Sequence, residues 1–435
     1  MAKAKVWTAG VIVVALGVGG VAAYGVINHD ANVGYIVDPP AAVASPVSTL
    51  LSPATAGEYD KATLVEKLNT LAENQALGNF GAAIIDTNTG ETIWSRQADT
   101  ALRPASVTKV LTATAALLEL GPQDVLSTPI YVYDDTVYIR AVGDVGITNE
   151  QLDQAAEAIR NASTGTLRSI IIDTSVWGQP AWAEGWDPID VGAGFITTME
   201  PAMLYGARLG GTTGDLPRSG TPSMDVAVAL GQRLGINDVE NGTVPGDLTA
   251  TSPTTSIESE PLYKRLTEMM LESDNVMAEA IGREVATHRG EIGSETTAVD
   301  SVRTVLQEHG FDLTGLDIHD VCGLSTLDRL PASLLAEIFN KAASNTPDGI
   351  ALRSLLDVLP VAGATGTLVT RFDDTAGLGW VRAKTGTLDY TNSLAGVVTG
   401  NSGTVFSFAL ISNENDAAIA RPLLDQIATA LREQG

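Results

Sequence analysis

Ser106 and Lys109 are the two residues whose types and spacing most clearly suggest chemistry. They lie three positions apart in "RPASVTKVLTATAALLEL", residues 103–120, a stretch whose apolar pattern predicts a helix. Side chains three apart on a helix share a face, so the hydroxyl and the amine can come within hydrogen-bonding distance. A serine hydroxyl becomes a nucleophile when a base takes its proton, and burial can lower the pKa of a lysine enough to make it that base. The pair therefore predicts nucleophilic catalysis.

The same pair also has a structural interpretation, in which the lysine extends to solvent and the serine caps the helix. Two further motifs favour catalysis. "SDN", residues 273–275, falls at a predicted break between two helices, and "KTG", residues 384–386, lies at the end of a predicted strand. Each alone could be an ordinary turn or strand exit. The order S-x-x-K, S-D-N, K-T-G is, however, the signature of penicillin-binding proteins and class A β-lactamases.

The elements that must position these motifs follow from the sequence pattern. Two strands joined by a turn at residues 88–90 are predicted before the helix, and a β-meander followed by an amphipathic helix is predicted at the C-terminus. Between them, short strands rich in Gly, Thr and Pro indicate an inserted module. The pattern predicts a two-domain α+β protein. Its predicted ranges are a membrane anchor or signal peptide (1–28), a Pro/Ala-rich linker (29–58), a catalytic domain (59–123 and 251–435) and an inserted domain (124–250).

Through these motifs the sequence resembles the penicillin-recognising serine D-alanyl-D-alanine carboxypeptidases, most closely the class C low-molecular-mass group (peptidase S13, DacB-like). "AVGDVGIT", "IIIDTSVWG" and "LPVAGATGTLVTRF" are also similar to that group, and the resemblance extends from about Tyr59 to the C-terminus. It implies a penicillin-binding, serine β-lactamase-like transpeptidase domain, in which helices pack on an antiparallel sheet. A smaller α/β domain is inserted into it.

The resemblance also implies a role for each residue of the first two motifs. Ser106 would be the acylated nucleophile, and Lys109 would be its base. Ser273 would relay a proton to the leaving group, and Asn275 would hold the substrate amide.

The third motif would bind the other end of the scissile bond. By the same resemblance, Lys384 and Thr385 would bind the terminal carboxylate, and Gly386 would shape the strand. The backbone N–H groups of the nucleophile and of Thr387 would form the oxyanion hole.

One segment departs from the pattern of the group. Residues 320–329, "DVCGLSTLDR", replace a Gly-Ser-Gly-Leu-Ser-Arg-like segment, and Thr326 stands where an arginine is expected. If that arginine grips the carboxylate of a diamino acid, recognition of the substrate side chain differs here. Asp173 is a candidate for the side-chain amine, although a strand-end aspartate is commonly a cap. Cys322 is predicted to be a buried apolar residue.

These observations predict a serine DD-carboxypeptidase, with or without DD-endopeptidase activity, that acts on peptidoglycan stem peptides through a Ser106 acyl-enzyme. β-Lactam antibiotics would acylate the same residue. A serine β-lactamase is one alternative, but no convincing loop carries a glutamate to activate the deacylating water. A second is a non-catalytic cell-wall scaffold or penicillin sensor, although such a protein has no reason to keep charged groups in a cleft. A Ser-His-Asp hydrolase would depend on His319 in "DIHD".

Composition and the first residues limit the class of protein and its location. A net charge of −26 argues against nucleic-acid binding, which needs a basic surface. One cysteine and four histidines without metal-ligand spacing predict neither a disulfide nor a metal, and no cofactor is expected. Lys3 and Lys5 precede an uncharged run at residues 6–27, which is long enough to span a bilayer. The prediction is an extracytoplasmic protein anchored in the bacterial membrane; the alternative is secretion after cleavage of a signal peptide.

Overall fold

The computed structural model describes residues 57–435 except Pro180. The predicted anchor or signal peptide, and nearly all of the predicted linker, lie outside the described residues. Within the described part of the chain, no helix combines the length and the apolar character needed to cross a membrane.

The described strands, in chain order, are β1 (Asn79–Asp86), β2 (Glu91–Arg96), β3 (Ala101–Leu102), β4 (Ser127–Tyr133), β5 (Thr136–Arg140), β6 (Asp144–Ile147), β7 (Ser169–Asp173), β8 (Ala202–Leu204), β9 (Asp238–Asn241), β10 (Thr255–Glu258), β11 (Leu330–Pro331), β12 (Val381–Leu388), β13 (Thr391–Thr399) and β14 (Val405–Asn413).

The described α-helices are α1 (Lys61–Ala72), α2 (Lys109–Glu119), α3 (Asn149–Ala162), α4 (Ile189–Ala193), α5 (Pro222–Leu234), α6 (Gly246–Thr249), α7 (Leu262–Glu272), α8 (Asn275–His288), α9 (Glu295–Glu308), α10 (Ala332–Ala343), α11 (Pro347–Ala351), α12 (Arg353–Asp357) and α13 (Ala417–Gln434). Short 3₁₀ turns occur at Gln75–Leu77, Ala105–Thr108, Tyr205–Ala207 and Gly366–Leu368.

The first sheet is antiparallel throughout, with the strand order β12-β13-β14-β1-β2. Successive side chains of a strand point to opposite faces, and in β13 Leu394 and Ala395 accordingly belong to two different cores. Helices α1 and α13 cover one face, and α2, α8 and α10 contribute to the core on the other. Burial on both faces explains why β13 has an uninterrupted apolar run at residues 394–398. The predicted arrangement of helices on an antiparallel sheet is confirmed.

The second sheet is mixed, with the strand order β10-β4-β5-β7-β9. The pairs β5–β7 and β7–β9 are parallel, so the chain crosses over between them, and helices α3 and α5 lie in these crossovers. Leu152 of α3 and Val226 of α5 pack with Ile170 of β7 in a core of their own. This sheet includes β10, which lies beyond residue 250, the predicted end of the inserted domain. The predicted domain ranges stay predictions.

The segment between β7 and α5 packs differently from the strands around it. Trp177, Trp186 and Met199 belong to the same core as helices α2 and α8, not to the core of the second sheet. Part of the predicted insertion therefore borders the Ser106 region directly.

Candidate active site

Ser106 lies in a 3₁₀ turn that runs directly into α2, and Lys109 is the first residue of that helix. The turn begins at Ala105, whose φ of 53° falls in the left-handed region that non-glycine residues seldom adopt. The chain entering the turn is held from β14. The side-chain amide of Asn413 accepts a hydrogen bond from the backbone N–H of Arg103 at 2.8 Å and donates to its carbonyl at 3.0 Å.

A second strand fixes the next residue of the turn. Ser393 on β13 is buried and donates a hydrogen bond to the carbonyl oxygen of Pro104 at 2.6 Å. Gly386 permits this approach, since a Cβ there would lie 2.2 Å from Ser393 Oγ and 2.7 Å from the Pro104 carbonyl. The turn that carries Ser106 is thus held directly against the sheet.

Lys109 is completely buried, with 0% of its surface exposed, so the interpretation in which it reaches solvent is wrong. Its Nζ lies 3.0 Å from Ser106 Oγ, 2.6 Å from Asn275 Oδ1 and 2.7 Å from the carbonyl oxygen of Cys322. A charged amine would donate to all three oxygens. A neutral amine has two hydrogens and one lone pair. The two carbonyl oxygens cannot donate, so only the hydroxyl of Ser106 can direct a proton at that lone pair.

Lys384 is the second fully buried lysine of the site. Its Nζ lies 2.9 Å from Ser273 Oγ and 2.9 Å from the carbonyl oxygen of Thr385. Burial lowers the pKa of Lys384 well below its ordinary value, and the nearby cation Lys109 lowers it further. Burial also lowers the pKa of Lys109, although surrounding acidic groups, Asp320 among them, act in the opposite direction. Both amines are therefore biased towards the neutral form.

The predicted helix break positions the second motif. Ser273 ends α7 with a φ of 59°, and Asp274 caps α8 by accepting a hydrogen bond from the backbone N–H of Met277 at 2.9 Å. The first residue of α8 is Asn275, whose Nδ2 donates to the carbonyl oxygen of Phe195 at 3.0 Å. One tight turn thus directs Ser273 to Lys384 and Asn275 to Lys109. The five predicted catalytic residues form two hydrogen-bonded groups, namely Ser106, Lys109 and Asn275 in one and Ser273 and Lys384 in the other.

Asp274 is held by two arginines to which sequence analysis gave no role. Arg208 and Arg218 both form ion pairs with its Oδ2, the latter at 3.1 Å, and all three side chains are buried. Burial by itself raises the pKa of Asp274, but the charges of Arg218 and Arg208 outweigh it and lower the pKa to about 2. Both arginines come from the segment between β7 and α5, and no spacing in the sequence links them to residue 274.

The segment at residues 320–325 supplies the carbonyl that Lys109 contacts. Asp320 is fully buried and accepts hydrogen bonds from the N–H groups of Cys322 at 3.0 Å and Ser325 at 2.7 Å, and from the indole of Trp186 at 2.8 Å. These bonds fix the position of the Cys322 carbonyl. The Cys322 side chain is buried as predicted, and burial raises the pKa of its thiol well above the ordinary value.

One buried cluster of the described residues has side chains of metal-binding type, namely Glu279, Asp320 and Cys322. Glu279 accepts hydrogen bonds from Arg283 at 2.7 Å and from the N–H of Val321 at 2.8 Å. Each carboxylate oxygen of the cluster thus already accepts a hydrogen bond from the protein, so the cluster functions as a hydrogen-bonding network.

The third motif opens onto a cleft. Thr385 is buried and donates a hydrogen bond to Thr367 Oγ1 at 2.7 Å, whereas Thr387 is exposed and lines a cavity of about 700 Å³. This cavity, hereafter the cleft, lies beside the end of β12. Its charged lining residues are Arg103, Asp187, Asp190, Asp389 and Asp416.

Asp173, the predicted contact for a substrate amine, ends β7 in the second sheet. Its two carboxylate oxygens accept hydrogen bonds from the N–H groups of Ser175 at 3.0 Å and Val244 at 2.9 Å. Burial raises the pKa of Asp173, but these hydrogen bonds outweigh it and the net shift is downward. The carboxylate therefore caps a strand end instead of facing the cleft, which four other aspartates line.

His319, on which a Ser-His-Asp hydrolase would depend, contacts carboxylates away from the nucleophile. Its Nδ1 lies 3.7 Å from Glu184 Oε2, and its Nε2 lies 3.8 Å from Asp317 Oδ1. Within the described residues its ring has no hydrogen bond to a serine.

The fold and the two lysine-linked serines define a protein of the penicillin-binding, serine β-lactamase-like class. Residues 64–229 and 216–434 match the D-Ala-D-Ala carboxypeptidase 3 (S13) family. The carboxypeptidase DacB of Mycolicibacterium smegmatis is 39% identical over 98% of this chain and 96% of its own length. A D-alanyl-D-alanine carboxypeptidase of Actinomadura sp. is 25% identical over 85% of this chain and 84% of its own.

Solved structures agree on the fold. Penicillin-binding protein 4 (dacB) of Haemophilus influenzae superposes with a TM-score of 0.66 at 22% identity, covering 86% of this chain and 98% of that one. Another structure of that protein is a complex with a β-lactam. The chain therefore belongs to the S13 family and is a serine-type D-Ala-D-Ala carboxypeptidase.

Proposed function

We propose that the chain cleaves the terminal D-Ala-D-Ala bond of peptidoglycan stem peptides through an acyl-enzyme at Ser106, and that β-lactam antibiotics acylate the same oxygen. The observation that carries this proposal is the environment of Lys109. Among its three hydrogen-bonding partners, only the Ser106 hydroxyl can give up a proton to the neutral amine. Burial, which lowers the pKa of Lys109, favours that neutral form.

In the acylation step, Ser106 Oγ attacks the carbonyl carbon between the two D-alanines while its proton passes to Lys109 Nζ. The carbonyl oxygen becomes an oxyanion. The tetrahedral intermediate then breaks its C–N bond, and the proton that Lys109 took from Ser106 passes to the departing amine of the terminal D-alanine. Ser273 is suited to relay that proton because its hydroxyl contacts Lys384 at 2.9 Å. Water then hydrolyses the ester, releasing the shortened peptide and free Ser106.

The geometry of β12 supports Thr387 as an oxyanion donor. This strand is at the edge of its sheet, and the backbone groups of alternate residues point to the same side. Ala383 donates its N–H to Pro360 on the side away from β13. Thr385 and Thr387 follow in the same alternation, so their N–H groups are directed away from β13 as well. The exposed position of Thr387 leaves its N–H on the side of the substrate.

The polar groups around the nucleophile can bind the remaining parts of the substrate. We assign the terminal carboxylate to Lys384, whose ammonium form the incoming anion would favour against the burial that lowers its pKa, and to the Thr385 hydroxyl, which needs only to turn from Thr367. Asn275 has both ends of its amide occupied, by Lys109 and by the carbonyl of Phe195. Its main task is therefore to orient Lys109, and a contact with the substrate amide would replace the bond to Phe195.

The proposal includes location and a related activity. Export is supported by the two lysines ahead of the uncharged run at residues 6–27, which would act as a membrane anchor or, if cleaved, as a signal peptide. Protein that fractionates with membranes would support the anchor, and soluble protein starting near residue 23 would support cleavage. The same chemistry on a peptide cross-link would make the chain a DD-endopeptidase, which release of cross-linked muropeptides would detect.

The deciding experiment is covalent labelling of the full chain with benzylpenicillin. Intact-mass analysis should show one adduct, which maps to the peptide containing "PASVTK", and D-alanine should be released from a D-Ala-D-Ala peptide. Ser106→Ala should lose both, whereas the control Ser163→Ala, at the end of α3, should lose neither. An adduct on another residue, or no adduct on folded protein, would overturn the proposal.

A further inference from the structure

Asp320 is a fully buried carboxylate near Lys109, and no lysine, arginine or histidine of the described chain forms an ion pair with it. The other two carboxylates near that amine are paired, Asp274 with two arginines and Glu279 with Arg283 at 2.7 Å. Asp320 accepts its hydrogen bonds from uncharged N–H groups, three of the backbone and one indole. A buried carboxylate without a cation costs free energy, so it needs another reason to be present.

A single peptide group connects Asp320 with Lys109. Its carbonyl oxygen, which belongs to Cys322, accepts a hydrogen bond from Lys109 Nζ at 2.7 Å, and its N–H, which belongs to Gly323, donates to Asp320 Oδ1 at 2.6 Å. The C=O and N–H bonds of a trans peptide group point in opposite directions, so its dipole directs the negative end at the amine. A carboxylate on the N–H polarises the group further and makes the carbonyl a stronger acceptor.

This peptide group can reach the site because residue 323 is a glycine. Its φ is 81°, and a Cβ there would lie 2.1 Å from the carbonyl oxygen of Ala105 and 2.8 Å from Thr108 Oγ1. A larger residue would therefore push the segment away from the turn that carries Ser106, and the Cys322 carbonyl away from Lys109.

The two buried lysines of the site differ in the acidic groups around them. Burial and the cation Lys109 lower the pKa of Lys384 well below its ordinary value, and no acidic group opposes them. Burial lowers the pKa of Lys109 too, but there acidic groups act in the opposite direction. The ionisable side chains that act on Lys109 are Lys384 on β12, Asp274 and Glu279 on α8, and Asp320 and Cys322 in the segment at residues 320–325. Burial keeps the Cys322 thiol neutral by raising its pKa, and arginines balance the carboxylates of α8, so among these groups the negative charge of Asp320 is the one that no cation offsets.

We propose that Asp320 is a positioning residue that makes Lys109 a stronger base, through the peptide group that joins them and through its own unbalanced negative charge. The inference rests on the proposed function, in which Lys109 takes the proton of Ser106. A general base is most effective when its affinity for the proton suits the working pH, and burial alone weakens that affinity. Asp320 opposes this weakening from behind the peptide group.

The test is the pH dependence of acylation by benzylpenicillin in the full-length Asp320→Asn variant, measured by stopped flow. Without the negative charge the ammonium form of Lys109 loses support, so the midpoint of the rate should move to a lower pH than in the wild type. The plateau rate should fall by roughly 10- to 100-fold, a part of the 10²–10⁴-fold that a general base contributes. An unchanged midpoint, whether or not the rate falls, would overturn the inference.

Asp328→Asn is the matched control. Asp328 is a buried carboxyl group nine positions from His319, whose backbone N–H it accepts at 2.7 Å, and burial raises its pKa well above the ordinary value. The group is therefore neutral, its replacement removes no charge, and the midpoint should stay at the wild-type value. An equal shift in this variant would assign the effect to disturbance of the segment and would overturn the inference.

The wild-type chain gives a second test, which decides the question if Asp320→Asn does not fold. Cys322 is the one cysteine of the sequence, so ¹³C at the carbonyl of cysteine combined with ¹⁵N in glycine labels the peptide group between Cys322 and Gly323 uniquely. The ¹³C and ¹⁵N signals should both move with pH, with the midpoint of the acylation rate. Movement of the carbonyl signal alone, or of neither signal, would show that Asp320 is not coupled to Lys109.

Lys109→Arg separates this inference from the proposed function. If that variant is acylated at the wild-type rate, Lys109 is not the base and both fail. If it is slow while neither the Asp320→Asn midpoint nor the peptide signals move, the inference about Asp320 fails and the proposed function stands.

Discussion

Two neighbouring regions of the site bury ionisable side chains, and they differ in whether those side chains have a partner of opposite charge. Lys109 and Lys384 have only neutral oxygens as hydrogen-bonding partners, and each is fully buried. Asp274, one position from both Ser273 and Asn275, is paired with Arg208 and Arg218. Burial biases the two lysines towards the neutral form, whereas the arginines hold the aspartate firmly in its charged form.

The difference shows what each region contributes. A neutral amine can accept a proton, so a lysine left without a carboxylate partner is a base. A carboxylate held between two guanidiniums cannot exchange protons near neutral pH, but it can fix the backbone. Asp274 caps α8 and thereby sets the directions of Ser273 and Asn275. The buried lysines without a carboxylate partner are therefore the groups proposed to take part in the chemistry, whereas the buried aspartate paired with two arginines positions the residues beside it.

The largest expected effect comes from making the Lys109 charge permanent. Lys109→Arg cannot give up its proton in a protein, so acylation by benzylpenicillin should slow by about 10²–10⁴-fold, the usual contribution of a general base. Stopped-flow measurement of labelling gives the rate. The control is Lys264→Arg, at an exposed lysine on α7, which should label at the wild-type rate. Normal labelling by a folded Lys109→Arg protein would mean that Lys109 is a structural cation.

The pH dependence of acylation tests the protonation state of Lys109 in a second way. Burial lowers the pKa of Lys109 below its ordinary value of 10.5, and only the deprotonated amine accepts the Ser106 proton. The acylation rate should therefore rise with pH through a midpoint that lies below 10.5. A rate that rises only near the ordinary lysine value would contradict a depressed pKa.

A smaller effect is expected when the ion pairs of Asp274 are removed. Asp274→Asn leaves Arg208 and Arg218 buried without their carboxylate, which should lower the free energy of unfolding by about 3–5 kcal/mol at neutral pH. The folded-state pKa of Asp274 is lowered from 3.8 to about 2, so its stabilising contribution is present above pH 3.8 and is lost as the pH falls towards 2. Urea unfolding across this range should show the difference between the two proteins shrinking. A difference that stays constant would mean that the ion pairs do not depend on the Asp274 charge.

The smallest effect is expected where no charge is buried. Ser393→Ala removes the hydrogen bond to the Pro104 carbonyl and should lower the free energy of unfolding by about 0.5–1.5 kcal/mol. It should also slow acylation, because the nucleophile turn loses an anchor. Ser412→Ala is the matched control: Ser412 is equally buried and donates to the Leu77 carbonyl at 2.8 Å, away from the turn. Equal acylation rates in the two variants would show that the Ser393 bond only stabilises the fold.

Much of the fold was predictable because it depends on local patterns. The strand pair around residues 88–90, the break at residues 273–275 and the C-terminal meander and helix are all observed. Each depends on turn residues or on a periodicity that neighbouring residues carry themselves. The similarity of three short motifs to those of the penicillin-binding carboxypeptidases then predicted the antiparallel architecture and the family.

The sequence by itself determined which residues could react and in which elements they lie, since the three-residue spacing of Ser106 and Lys109 already places them together. Only the tertiary structure decided their surroundings. Asn275 contacts Lys109 across 166 positions of the chain, and Asp274 meets Arg208 across 66. Whether Asp173 caps a strand likewise depends on how distant segments pack. Residue type and periodicity describe neighbours along the chain, whereas burial, pKa and pairing arise from neighbours in space.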